Sequence, residues 1–191
     1  ITWAEESGNH FLRFTSSQVY ADPFNAIELD LVVTAPSGKV FPVPGFWRGG
    51  QDRAVRFSSD TPGSYSFTTA CSNPEDSGLQ GQSGNITVTP YTGSHPLYAH
   101  GGLRVRPDRK TLEHNDGTPF FWLGDTGWLL FSKLNQEDAE KYLADRAAKG
   151  FNVVQVMMLH TLGAKNFYGD SALINQNVAR PVITEGSDFA F

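Results

Sequence analysis

The segment from Pro119 to Leu159 most constrains what this chain can fold into, because it reads as strand, helix, strand. Phe120-Phe121-Trp122-Leu123-Gly124 is an uninterrupted apolar run, the pattern of a strand covered on both faces. Asn135 is a good N-cap, followed by Glu137 and Asp138 where the helix N-terminus favours negative charge. Ala139, Tyr142, Leu143 and Ala147 recur at helical spacing, and Lys149-Gly150 gives a basic last turn with a C-terminal glycine. Phe151 to Leu159 reads as a second buried strand. Such a unit implies a parallel sheet, whose strands need cover on both faces. One unit does not supply that cover. Residues 103–191 number 89, whereas a (β/α)8 barrel takes about 250. Gly169 to Phe191 adds no clear strand or helix.

The preceding text has a different period. Ile27, Leu29, Leu31 and Val33 alternate with polar neighbours, as do Tyr65, Phe67 and Thr69, and then Ile86 and Val88. His10–Phe14 and Ala54–Phe57 are further short strands, and Pro42 confines Val40–Val43 to a sheet edge. Pro36-Ser37-Gly38, Gly49-Gly50 and Thr61-Pro62-Gly63 break the runs. Short strands spaced roughly 8–12 residues apart predict a β-sandwich. The fold class expected is therefore mixed: an immunoglobulin-like β-sandwich over residues 1–92, a linker and hairpin over 93–118, and over 119–191 an incomplete strand-helix-strand portion, which a family resemblance implies is the start of a (β/α)8 TIM barrel. Leu103–Val105 and Thr111–His114 are the hairpin strands, and Asn115-Asp116-Gly117 is a turn signal.

Composition narrows the function classes. Hydrophobic residues make up 39% and charged residues 18% of the chain, enough apolar bulk for a core. The net charge of −5, with no Lys/Arg block, argues against a nucleic-acid or anionic-membrane binder. No apolar run reaches the roughly 18–20 residues of a membrane span, and Ile1-Thr2-Trp3 does not open a signal peptide. Cys71 is the only cysteine, so neither an internal disulfide nor a cysteine-based zinc site is expected. His10, His95, His100 and His114 lack metal-ligand spacing and read as surface or linker positions. No phosphate loop and no Gly-x-Ser-x-Gly elbow occurs. Asp60 to Tyr65 resembles the approach to a tyrosine corner, without the cysteine that follows in antibody domains.

Two sets of residues carry a family resemblance. Asp22-Pro23-Phe24-Asn25, Gly45-Phe46-Trp47 with Gly49-Gly50, Val55-Arg56-Phe57 and Pro62-Gly63-Ser64-Tyr65 resemble the immunoglobulin-like domain that precedes some bacterial glycoside hydrolases. Pro119 to Trp128, then Tyr142-Leu143, Arg146 and Lys149 to Gln155, resemble the start of an apiosidase-like catalytic barrel, similar to the clan of cellulase-type family 5 enzymes. The resemblance implies a retaining glycosidase with an acid/base after the fourth barrel strand and a nucleophile at the seventh. No residue here matches either position, so no catalytic residue is assigned within the chain.

Three residues are candidates for substrate binding at the C-terminal rim of the barrel strands, where barrel active sites form. Asp125 follows the first strand and could accept hydrogen bonds from sugar hydroxyls; it could equally cap a helical turn over Thr126–Phe131. Trp128 could face a sugar ring or simply pack. His160 ends the second strand and could hydrogen-bond substrate, tune a carboxylate or be structural. Gln155, mid-strand, is expected inside the barrel as a satisfied polar group.

The function expected is that of the N-terminal portion of an exported glycoside hydrolase, acting on O-glycosidic bonds of plant or microbial polysaccharides. It needs no metal or organic cofactor. Its partners are the oligo- or polysaccharide and the remainder of the barrel, from the same polypeptide or a second chain. Made alone, the chain is expected to be inactive and to expose the surface of its strand-helix-strand unit. The alternative is a non-catalytic carbohydrate-binding or adhesion module with Trp47 or Tyr65 as exposed platforms.

Overall fold

The computed structural model describes residues 9–183. Of these, residues 9–99 and residues 100–183 form two compact units.

Among the described residues, the first unit holds seven strands and one helical turn. In chain order these are β1 (Asn9–Thr15), α1 (Pro23–Ala26), β2 (Leu29–Thr34), β3 (Val40–Pro44), β4 (Phe46–Gly49), β5 (Asp52–Ser58), β6 (Gly63–Cys71) and β7 (Ser83–Val88). They make a β-sandwich of two antiparallel sheets, β1-β5-β4 and β3-β2-β6-β7. Period-two patterning fills the space between the sheets: Leu29, Leu31 and Val33 of β2 and Tyr65, Phe67 and Thr69 of β6 are buried. They pack with Leu12 and Phe14 of β1 and Val55 and Phe57 of β5. Phe14 meets Phe67 edge-on across the gap at 6.4 Å, and Phe57 meets Tyr65 at 5.2 Å.

β3 is the edge strand that Pro42 predicts. β4 is an addition to the sequence reading, which saw only the glycine break after it. At Gly45 the chain steps from one sheet to the other. Its N–H donates to the Leu29 carbonyl at 2.7 Å, and a Cβ there would lie 2.8 Å from the same oxygen, so only glycine fits. The tyrosine corner forms: the Tyr65 hydroxyl donates to the Thr61 carbonyl at 2.8 Å and lies 2.7 Å from Ser59 Oγ.

The loop between β6 and β7 is tied to the strand end after β1 by Asp76, which sequence reading did not single out. Asp76 is fully buried. Its carboxylate accepts from Ser16 Oγ, from Ser17 N and Oγ at 2.9 and 3.0 Å, from Tyr20 Oη at 2.9 Å and from Gly78 N at 3.2 Å. Burial alone would raise its pKa, but the donors from Ser16, Ser17 and Tyr20 outweigh it and hold the carboxyl at about 2.

The second unit opens with a small antiparallel sheet of order β10-β9-β8, built from β8 (Leu103–Val105), β9 (Leu112–His114) and β10 (Pro119–Phe120). Glu113 is buried there against Arg104 at 2.9 Å and Arg106 at 3.3 Å. His114 is also buried, which corrects the expectation of a surface histidine. Next come β11 (Gly124–Thr126), α2 (Leu130–Lys133), α3 (Gln136–Ala148) and β12 (Val153–Gln155). β11 and β12 pair in parallel, so the strand-helix-strand unit forms. α3 starts as predicted, with Asn135 Oδ1 accepting from Asp138 N at 2.8 Å.

Three expectations for this unit need correction. The run Phe120–Gly124 is not one strand: Phe120 ends β10, and only Gly124 enters β11. The second strand covers Val153–Gln155 rather than Phe151–Leu159. Neither region is buried on both faces, since Phe121 is 78% and Trp122 56% exposed, and Met158 and Leu159 are also exposed. On one face of the two-stranded sheet, Tyr142 and Arg146 of α3 meet Asp125 of β11. After Leu159 the described chain holds a one-turn 3-10 helix at Ile174–Gln176 and two isolated bridges. The part of Gly169–Phe191 beyond Ile183 lies outside the described residues.

Candidate functional site

Asp125 is the central residue of β11, not the residue after it. Alternation along a strand sends its side chain to one face and those of its neighbours to the other. The face is that of α3: Tyr142 Oη donates to Asp125 Oδ2 at 2.9 Å, and Arg146 Nε lies 2.9 Å from the same oxygen. The arginine contact is an ion pair rather than a directed hydrogen bond, because the buried Nε–H does not point along it. Arg146 is held between the rings of Tyr142 and Phe151, at 5.1 and 5.4 Å from their centroids. Ala139, Tyr142 and Arg146 are the half-buried positions of this helix, while Leu143 and Ala147 of the predicted apolar stripe are exposed. The face that α3 turns inward is thus set by a carboxylate as much as by apolar contact.

Capping is the wrong role for Asp125. The first helix after it begins at Leu130, and its N-cap Leu129 makes no side-chain hydrogen bond. Asp125 instead accepts from Tyr142 first, then from the Thr126 N–H at 2.7 Å, with Arg146 beside it. Together these hold its carboxyl below the usual aspartate range. Such a depressed carboxylate contributes stability above its unfolded-state pKa and loses it as pH falls through the lower folded value. We expect the Asp125 carboxyl carbon to titrate below an ordinary aspartate by NMR, and Tyr142→Phe to move that titration upward. An unchanged titration in Tyr142→Phe would show that the hydroxyl does not set it.

The opposite face of the strand pair carries Gly124, Thr126, Val153 and Gln155, with Gly124↔Val153 and Thr126↔Gln155 in register. Thr126 and Gln155 are exposed there. Beyond the strands the pairing continues, since the Met157 N–H donates to the Trp128 carbonyl at 3.2 Å. Trp128 therefore leaves the C-terminal end of β11 beside the continuation of β12, and its side chain is 48% exposed. His160 follows three residues after Met157 and is exposed. Of the three candidates, Trp128 and His160 are exposed, while Asp125 sits mid-strand and is engaged by the helix.

Asn152 was missed by sequence reading. Its side chain accepts from Leu123 N at 3.0 Å and donates to the Phe121 carbonyl at 2.7 Å, while its own N–H donates to the Leu123 carbonyl. It sets the register of the parallel pair from the N-terminal end. Only the polar residue between Phe151 and Val153 in an apolar run could have marked it. Among the described residues, no group of three or more His, Cys, Asp or Glu side chains converges, and no helix is long and apolar enough to cross a membrane.

Residues 106–186 match the family model of the apiosidase-like catalytic domain. Residues 8–72 match that of a domain of unknown function, DUF5060. No curated protein matches the chain. Among solved structures, a protein from Bacteroides vulgatus ATCC 8482 that carries the glycoside hydrolase name superposes with a TM-score of 0.67 at 21% identity, over 84% of this chain and 30% of its own. A glycoside hydrolase family 5 structure from the same organism is 35% identical over 44% of this chain and 18% of its own, with a TM-score of 0.41. Another structure named glycoside hydrolase is 41% identical over 42% of this chain and 18% of its own, with a TM-score of 0.40. The chain thus spans less than a third of the length of these structures. Residues 106–186 are thus similar to the apiosidase-like catalytic domain.

Proposed function

We propose, from the apiosidase-like character of residues 106–186, that the protein containing this chain hydrolyses O-glycosidic bonds in plant or microbial polysaccharides. The observation that carries this reading is the parallel β11–β12 pair, joined through α3 inside the matched segment. That unit is the first repeat of a (β/α)8 barrel in this proposal, and the β-sandwich before it is immunoglobulin-like. The face bearing Gly124, Thr126, Val153 and Gln155 then turns to the barrel interior. The exposure of Thr126 and Gln155 fits a face awaiting further strands. The remaining strands come from the same polypeptide or a second chain and bring the catalytic carboxylates. Those carboxylates stand about 5–5.5 Å apart, one protonating the leaving oxygen while the other attacks the anomeric carbon. An exported enzyme suits a polymeric substrate.

In this reading Trp128 and His160 bind sugar at the rim, and Asp125 positions the strand that presents Trp128. In the enzyme containing this chain, Trp128→Ala is expected to raise KM for an oligosaccharide about tenfold, as expected for losing a stacked ring of one to two kcal/mol, with a smaller change in kcat. Steady-state kinetics decides it: unchanged KM and kcat would remove Trp128 from the site.

The alternative, a binding module without chemistry, places its aromatic platforms on the sandwich. Tyr65 is buried, and the Trp47 indole is half-buried beside Phe24 with its N–H donated to the Gly50 carbonyl at 3.0 Å. Neither offers a flat open ring, which supports the hydrolase reading over the alternative.

A further inference from the structure

We propose that His100 and His114 form a two-imidazole site for a divalent transition-metal ion. Their separation in sequence gives no ligand spacing, but the small sheet brings them together: His100 lies on the segment entering β8 and His114 ends β9. The ring centroids are 5.4 Å apart with the planes tilted by 52°. An imidazole centroid lies roughly 3.2 Å from a zinc bound at its nitrogen, so two rings at a tetrahedral angle stand about 5.2 Å apart. The observed separation matches in length that of two ligands on one ion.

The proton positions point the same way. His100 Nδ1 is 2.7 Å from Asp116 Oδ2, and His114 Nδ1 is 2.8 Å from the Gly101 carbonyl oxygen. An ionised carboxylate and a carbonyl only accept, so each Nδ1 must carry the hydrogen. In the neutral ring the lone pair then sits on Nε2. This carboxylate-or-carbonyl support of one ring nitrogen is the arrangement that orients metal-ligating histidines. The supports are themselves fixed. Asp116 Oδ1 accepts from Thr118 N at 2.9 Å, Thr118 Oγ1 lies 3.2 Å from His100 Nδ1, and the His114 N–H donates to the Thr118 carbonyl at 2.8 Å. The His114 ring packs edge-on against Phe120 at 5.5 Å, which holds its plane. With no third protein ligand converging among the described residues, water completes the coordination. An ion there pins the segment before β8 to the turn between β9 and β10. Imidazole ligands and the stability order of the divalent ions favour copper or zinc over magnesium or calcium.

The test is titration of the purified chain with Cu²⁺, read by electron paramagnetic resonance, and with Zn²⁺, read by calorimetry. We expect one ion per chain, with coupling from two imidazole nitrogens. His100→Ala, at a side chain 42% exposed, and His114→Asn are each expected to weaken binding at least about tenfold. Asp116→Asn is expected to weaken it several-fold while leaving both nitrogens coordinated. Should His114→Asn fail to fold, the His100→Ala result and the nitrogen count decide alone. No stoichiometric binding, a single coordinated nitrogen, or unchanged affinity in His100→Ala would overturn the proposal.

Discussion

Replacing Asp76 with alanine is expected to lower the stability of the β-sandwich by about 3–5 kcal/mol, because the donors around a buried carboxylate lose their acceptor at once. Those donors come from Ser16, Ser17, Tyr20 and Gly78, on two loops far apart in sequence. The substitution does not open space into which they can relax. Gly78 lies so close to the Thr15–Ser17 backbone that a Cβ would meet the Thr15 oxygen at 2.1 Å. Leu79, next to it, is fully buried, and its carbonyl accepts from Thr69 Oγ1. Loosening the loop therefore pulls on the core. At roughly 4–8 °C per kcal/mol for a domain of this size, the thermal midpoint should fall by at least about 12 °C. The pH dependence has a definite sign. With its folded pKa at about 2, Asp76 contributes fully above the ordinary aspartate value near 3.8, and that contribution is lost as pH falls toward 2. Wild-type stability should drop across that window, and Asp76→Ala should flatten that part of the drop. Denaturant unfolding at pH 7 and pH 3 measures both effects; a loss under about 1 kcal/mol at pH 7 would show that the network is not holding the loops.

None of that network was legible in the sequence, for a physical reason. Ser72 to Gly78 reads as a polar loop, and nothing in local spacing says that one of its acids is buried against partners some sixty residues away. What was legible is periodic. The alternation Ile27-Leu29-Leu31-Val33 placed four side chains on the buried face, and Asn135 with Glu137 and Asp138 marked the start of α3. Pro42 marked an edge because a missing N–H is a local property. Strand ends were misread where apolar runs continue past the pairing. Phe121 to Leu123 and Val156 to Leu159 look like strand by composition, yet only Gly124–Thr126 and Val153–Gln155 form the parallel ladder.

The site was legible in part. The strand-helix-strand grammar and its parallel pairing were read from periodicity and capping residues alone. Sequence reading did not reveal that Asp125 faces the helix, because Tyr142 read as a member of the apolar stripe and Arg146 only as part of the family resemblance. Their common acceptor appears only when the helix lies over the strand. Asn152 and the His100–His114 pair were hidden for the same reason, since each depends on partners in another element.

The second large effect concerns catalysis. In the proposed hydrolase, residues 1–191 supply the first strand pair, a rim and a sandwich, while the two catalytic carboxylates stand on strands outside that stretch. Asp125 is a poor candidate to replace either one, since its carboxylate is bound by a tyrosine hydroxyl and paired with an arginine. A retaining site needs a second carboxyl about 5–5.5 Å away. Glycosidase activity should thus be absent from residues 1–191 and appear only with the remaining barrel strands. The most direct measurement is a steady-state assay of purified residues 1–191 against a panel of aryl glycosides and polysaccharides. Turnover indistinguishable from buffer is the expected result. Robust turnover by residues 1–191 that disappears in Asp125→Asn would contradict it, and would make Asp125 a catalytic residue rather than the clamp between β11 and α3.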